Sequence, residues 1–369
     1  MTRRDFVQLL LATPLIGRTS SARSEEIRRD VPWLADVQVP PANIPNPQPA
    51  FSPLLRTPDG KPIETVDQWR VERERLRKAW LEFLGPMPTE RPPVKLEVLE
   101  EDRPEGCVRR LVRYESEVGL PVEGYLLLPT GATATERRAG IIALHQTTNE
   151  SIRQIAGLAG PPEQHLGLKL VRRGFVVFCP RCFLWQSVAN YNVAVDNFRK
   201  RHPHTLGMHK MLWDAMRGVD VLASMPEVDA KRIGACGHSL GAKESLYLAA
   251  FDDRVRVAVA SEGGTGFTST NWDAPWYLGP AIKEPNFRLN HHQLLALIAP
   301  RPFLILAGES GSGAADGERS WPYVEAAVGV YRLFGSPARV GLLNHRQGHS
   351  IPDSAWNRWA EWLETYLRA

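Results

Sequence analysis

Gly237, His238, Ser239, Leu240 and Gly241 form a G-x-S-x-G string, the stretch of this chain best suited to covalent chemistry. An apolar run, Arg232 to Cys236, precedes it and a helical pattern, Ala242 to Phe251, follows it. Strand, sharp turn, helix is the context a nucleophile elbow requires. The serine there takes a strained backbone conformation, and side chains two residues to either side would collide, so both flanking positions are glycine. A serine hydroxyl is a weak nucleophile at neutral pH. It needs a base, usually histidine, and an acid that holds the imidazole in the useful tautomer.

For an elbow serine the acid and then the histidine follow along the chain. His345 and His349 both lie after the strand-like run Arg339–Leu343. His349 is favoured, because Gln347-Gly348-His349-Ser350 reads as a glycine-preceded loop able to swing an imidazole over the elbow. Two carboxylates compete as the acid. Asp316 follows the run Pro302–Leu306, and Glu262 ends the run Val255–Ala260. Either can reach a histidine on the last loop. Glu309 is weaker, since a carboxylate so near a strand end can instead bond a helix N-terminus. An oxyanion hole needs two backbone N–H groups. Leu240 supplies one, and Gln146 or Thr147, in His145-Gln146-Thr147-Thr148, supplies the other.

Candidate substrate contacts are Lys243, one turn into the elbow helix, His145, and Trp272 and Trp276 in a long loop. Tyr277 lies in the same loop, and Trp185 and Tyr191 lie in another long loop earlier in the chain. Aromatics beside a nucleophile can stack on sugar rings or can hold a loop down as apolar packing. His202, His204 and His209 form a loose cluster without a third ligand class, so no metal site is expected. Cys179-Pro180-Arg181-Cys182 is a CxxC with no second CxxC to complete four ligands, and four cysteines are too few for a disulfide scaffold.

These residues must be positioned by regular elements. A charged amphipathic helix is expected over Ile63–Leu84, then strands over Val94–Leu99, Val108–Tyr114 and Val122–Leu128. Strands at Ala139–Leu144, Phe175–Cys179, Arg232–Cys236, Val255–Ala260, Pro302–Leu306 and Arg339–Leu343 then alternate with helices at Leu166–Arg173, Met208–Ser224 and Ala355–Tyr366. The alternation predicts an α/β fold with a doubly wound, mostly parallel sheet. Phe183–Leu206 and Gly263–Leu294 read as long loops at the carboxyl ends of strands, where such sheets bind ligands.

The chain has 369 residues, 43% apolar and 23% charged, the balance of an ordinary soluble protein. Thr2-Arg3-Arg4-Asp5-Phe6, a short apolar run to Ile16 and Ser20-Ser21-Ala22 read as a twin-arginine signal peptide over residues 1–22. That implies a periplasmic or secreted protein with no stable membrane anchor. Net charge is +4; loss of Arg3, Arg4, Arg18 and Asp5 with the signal leaves +2, no basis for nucleic-acid binding. Residues 23–90 read as a proline-rich arm and helix, and 91–369 as the catalytic domain. The sequence carries no signal for oligomeric state.

The elbow, the His-Gln-Thr loop and His349 together resemble α/β-hydrolase esterases of the dienelactone-hydrolase and acetyl-xylan-esterase type, from about Gly85 to the C-terminus. The likeness to glucuronoyl esterases is closer. In that family a lysine follows the nucleophile by four residues, as Lys243 does, and a glutamate ending the next strand serves as acid in several members, as Glu262 could. The segment His291 to Pro302 also resembles theirs. The chain departs from that pattern at Leu240, where an arginine beside the nucleophile is expected. The resemblance implies a serine carboxyl-ester hydrolase, without cofactor, acting on a small-molecule or polysaccharide ester such as an acetyl or glucuronoyl ester. A dienelactone hydrolase, a peptidase-like hydrolase and a non-catalytic carbohydrate-binding protein on the same fold are the alternatives.

Overall fold

Sequence dictates most of the sheet. Strands buried on both faces carry continuous apolar runs, and their alternate residues feed two separate cores. Along Arg138–Leu144, Ile142 and Leu144 enter one core while Ile141 and Ala143 enter the other. A computed structural model describes residues 29–44, 49–186, 190–311 and 313–368. The twin-arginine segment lies outside the described residues.

In chain order the elements are α1 (Val66–Leu84), β1 (Glu97–Asp102), β2 (Cys107–Glu117), β3 (Leu120–Pro129), β4 (Arg138–Leu144), α2 (Ile152–Ile155), α3 (Leu166–Val171), β5 (Val176–Pro180), α4 (Tyr191–Arg201), α5 (Gly207–Ser224), β6 (Val228–His238), α6 (Leu240–Phe251), β7 (Val255–Ser261), α7 (His291–Ile298), β8 (Phe303–Ala307), α8 (Trp321–Leu333), β9 (Val340–Asn344) and α9 (Asp353–Arg368). The sheet order is β1-β2-β3-β5-β4-β6-β7-β8-β9. The first three strands are antiparallel, and β4 through β9 run parallel. This is the expected mostly parallel, doubly wound sheet of the α/β-hydrolase type. Beside β4 the strand order reverses, β5 on one side and β6 on the other, which opens a crevice at the carboxyl ends.

Helix α1 is fixed at its start by a capping box between Thr65 and Gln68. Its apolar stripe, Trp69, Leu76, Trp80 and Leu84, enters the core shared with α5, α6, α7 and α8. Trp80 is fully buried, stacks on His291, meets Tyr247 edge-on and donates from Nε1 to Gln293 Oε1 at 3.1 Å. Trp80→Ala removes an indole from a close-packed site, and a stability loss of about 3–5 kcal/mol is expected in a denaturant melt. On the other face α9 buries Trp356, Trp359, Trp362 and Leu363.

Helices α2 and α8 have no counterpart in the sequence reading, and three further features differ from it. The segment Phe183–Leu206 is not all loop but contains α4, whose weak apolar face (Ala194, Val195, Phe198) hides its period; the Asn190 side chain caps it. The second loop ends at α7, announced by the Asn290–Gln293 capping box. Strand β1 lies three residues later than expected, because it is an exposed edge strand with no buried face to set its frame.

Candidate active site

Loops leaving the carboxyl ends of the parallel strands converge on a cavity of about 260 Å³. Thr147 comes from after β4, Leu184 and Trp185 from after β5, and Ser239 from the β6–α6 turn. Glu262 follows β7, Gly313 and Ala315 follow β8, and His349 follows β9.

Ser239 has φ 58° and ψ −116°, a conformation that side chains rarely adopt. Its N–H donates to Ser261 O at 2.8 Å, locking the turn to β7. The flanking glycines are steric necessities. A Cβ on Gly237 would strike the Gly241 backbone, and one on Gly241 would strike the Leu144 carbonyl. Leu240 opens α6, so its N–H belongs to the first helical turn and has no partner within the helix.

Glu262, not Asp316, stands beside His349. Its Oε2 lies 3.6 Å from His349 Nδ1 and accepts the Ala315 N–H at 2.8 Å. Glu262 also has positive φ, 56°, directly after β7. Burial pushes its carboxyl above the usual range, opposed by the contact with His349. Asp316 is occupied elsewhere. It accepts from Gly264 N at 2.9 Å, Thr265 N at 2.7 Å, Thr265 Oγ1 at 3.0 Å and Ser320 Oγ, and so ties down the loop after β7. Glu309 pairs with Arg346 at 2.9 Å and accepts from Asn344. His345 is half-buried and accepts from Gln347 N through Nδ1.

His145 is a correction to the expected substrate contacts. It is fully buried and held near pKa 4 by desolvation. Its Nε2 accepts from Cys182 N at 3.1 Å, so Nδ1 carries the proton donated to Gln146 O at 2.9 Å. It therefore braces the loop holding Gln146 and Thr147 rather than facing the cavity. Trp272 is likewise a packing residue: it is buried, donates to Gly264 O and rests on His291. Trp276 does line the cavity, edge-on to Tyr191, which is edge-on to Trp185.

Lys243 reaches the cavity with Nζ over both the Trp272 and Tyr277 rings, 4.3 and 4.1 Å from their centroids. It donates to Thr270 Oγ1 and to Asn271 Oδ1. Thr270 and Asn271 also line the cavity, and no sequence pattern marks them. Desolvation lowers Lys243 to about 7, against the attraction of Asp316 and Asp273. The unfolded chain therefore binds more protons than the folded one between about pH 7 and pH 10.5. Lysine's penalty is greatest below that window and fades as pH rises through it. The melting temperature of Lys243→Met relative to the parent is expected to be highest at pH 6 and to fall by pH 9.

The cysteines are free and buried. Cys179 lies in one core and Cys182 in the other, which separates the CxxC thiols across the sheet. His202 bonds Glu117 at 2.7 Å and His209 bonds Gly85 O at 2.6 Å, so that cluster is dispersed. Among the described residues no group of three or more His, Cys, Asp or Glu is arranged to hold a metal.

Residues 150–290 match the Dienelactone hydrolase family, a segment that includes Ser239 and Glu262. Carbohydrate esterase MZ0003, from an unknown prokaryotic organism, is 27% identical over 135 residues, 32% of this chain and 31% of the relative. 4-O-methyl-glucuronoyl methylesterase 1 of Sodiomyces alcalophilus is 26% identical over 130 residues, 28% of this chain and 26% of the relative. The chain thus spans about a third or less of these relatives' lengths. A solved glucuronoyl esterase from Solibacter usitatus superposes with a TM-score of 0.72 at 17% identity, covering 87% of this chain and 99% of that one. That likeness establishes the α/β-hydrolase fold, and the matches bear out the resemblance drawn from the elbow and its neighbours.

Proposed function

We propose that this chain is a serine carboxyl-ester hydrolase acting on a carbohydrate ester. The observation that carries the reading is a strained elbow serine and a histidine backed by a buried glutamate, all opening on one cavity. Ser239 Oγ attacks the ester carbonyl carbon while His349 takes its proton. The N–H of Leu240 and that of Gln146 or Thr147 receive the oxyanion. The bond to the leaving alcohol breaks, His349 returns the proton to it, and water repeats the sequence on the acyl-enzyme to free Ser239. Glu262 keeps the imidazole oriented and stabilises its protonated form.

The carbohydrate assignment rests on the carbohydrate esterases that this chain resembles and on Trp276, Tyr191 and Trp185 at the cavity, which offer faces for a sugar ring. Leu240 departs from the arginine expected beside the nucleophile in glucuronoyl esterases, so acetylated sugars stand beside methyl glucuronate as candidates. The test is hydrolysis of acetylated xylo-oligosaccharides, methyl glucuronate and 4-nitrophenyl acetate. Turnover of a sugar ester supports the reading, and inertness toward the whole panel overturns it.

No helix among the described residues is long and apolar enough to cross a membrane. The export reading rests on Arg3 and Arg4. Full-length protein expressed in a bacterium with twin-arginine export is expected in the periplasmic fraction, and Arg3→Lys with Arg4→Lys to hold it in the cytoplasm. Equal distribution of both would refute it.

A further inference from the structure

We propose that His238, the residue before the nucleophile, is a positioning residue for His349. The inference rests on the hydrolase reading above. The two imidazoles face each other with centroids 4.5 Å apart and planes inclined by 39°. His238 is enclosed, 1% exposed, while the His349 side chain is 27% exposed toward the cavity. The His349 ring thus packs against an enclosed ring, lies close to Gly313 and keeps part of its surface open to the cavity.

The Glu262 contact orients one edge of the ring, but at 3.6 Å it is longer than an ordinary hydrogen bond and does not by itself fix the ring plane. Rotation about the bond joining ring to chain is broad for histidine, so one long contact leaves the plane free to rock. The His238 ring restricts that rocking by packing. Its own orientation is set by a 3.0 Å hydrogen bond between Nδ1 and Ser261 Oγ. Ser261 is the ladder partner of His238, accepts the Ser239 N–H through its carbonyl and directly precedes Glu262. One residue of β7 therefore registers the nucleophile, the brace and the acid together. Burial holds His238 far below the ordinary histidine range, so it stays neutral and puts no like charge beside a protonated His349.

Misplacing a reacting group by about 1 Å can cost on the order of 100-fold in rate, so partial loosening should cost about tenfold. The experiment measures kcat and KM on 4-nitrophenyl acetate for the parent, His238→Leu, His238→Phe, Ser261→Ala, the Ser261→Ala/His238→Phe double variant and Ser239→Ala. His238→Leu is expected to lose about tenfold in kcat with KM within about twofold. His238→Phe restores an aromatic face and should return to within about threefold of the parent. Ser261→Ala should lower kcat a few-fold in the parent and have no further effect on His238→Phe, which does not use that hydrogen bond. A filler role would leave kcat untouched once the protein is folded, or give Leu and Phe equal losses. Either result overturns the inference, as does a loss confined to KM. Should His238→Leu fail to fold, the cycle between Ser261→Ala and His238→Phe decides: additive losses overturn the inference and non-additive ones support it. Turnover within tenfold of the parent in Ser239→Ala overturns the reading of Ser239 as nucleophile and this inference with it. Ser239-dependent turnover with kcat unmoved in His238→Leu overturns the inference alone.

Discussion

Ser239→Ala is expected to lose three or more decades of ester turnover while melting within a few degrees of the parent. Alanine keeps the Cβ, so the φ of 58° at the elbow is no more strained than before. The ladder bond from the Ser239 N–H to Ser261 O is a backbone contact and survives. Only the side-chain hydroxyl, the proposed nucleophile, is lost. Nucleophile removal in serine hydrolases leaves the residual rate that the oxyanion hole and substrate binding supply, which sets the scale of about 10³ or more. kcat/KM on the best ester of the panel, with a thermal melt alongside, checks both halves. A variant within tenfold of the parent would mean that another group attacks.

Glu262→Gln and Asp316→Asn should separate cleanly. Glutamine at 262 keeps the volume and loses the charge beside His349, so the imidazolium that forms during attack loses its counter-charge and the tautomer is no longer enforced. A fall in kcat of about two to four decades is expected from the effect of such replacements in other triads. Asp316 accepts from three buried donors on Gly264 and Thr265 and from Ser320. An amide NH₂ there faces donors, and leaving buried groups unpaired costs about 1–3 kcal/mol. Asp316→Asn should therefore lower the melting temperature and reduce turnover far less than Glu262→Gln. Kinetics and melts on both variants check the ordering, and the reverse order would make Asp316 the acid.

The sheet was legible because its inner strands are buried on both faces, and such strands announce themselves as apolar runs. The elbow was legible because only glycine fits at 237 and 241, so sterics write the motif directly. Helix α4 was hidden by a polar composition and a three-residue apolar face. The acid stayed open because two carboxylates on neighbouring loops look alike in sequence. What separates them is which donors each meets, a matter of tertiary contact. His145 and Trp272 show the same limit from the other side: residue type and loop position suggested substrate contact, but burial turned both into braces. Lys243 was visible, whereas its partners Thr270 and Asn271, 27 and 28 residues away, carry no periodic or spacing signal.

The most direct measurement is active-site labelling. The protein is treated with a fluorophosphonate, which phosphonylates a serine only when a neighbouring base activates it, and the adduct is located by peptide mass mapping. One adduct per chain, on Ser239, absent in His349→Ala, is the predicted result. Ester turnover that persists with Ser239 unlabelled, or an adduct on another residue, would contradict the assignment of that hydroxyl as the nucleophile.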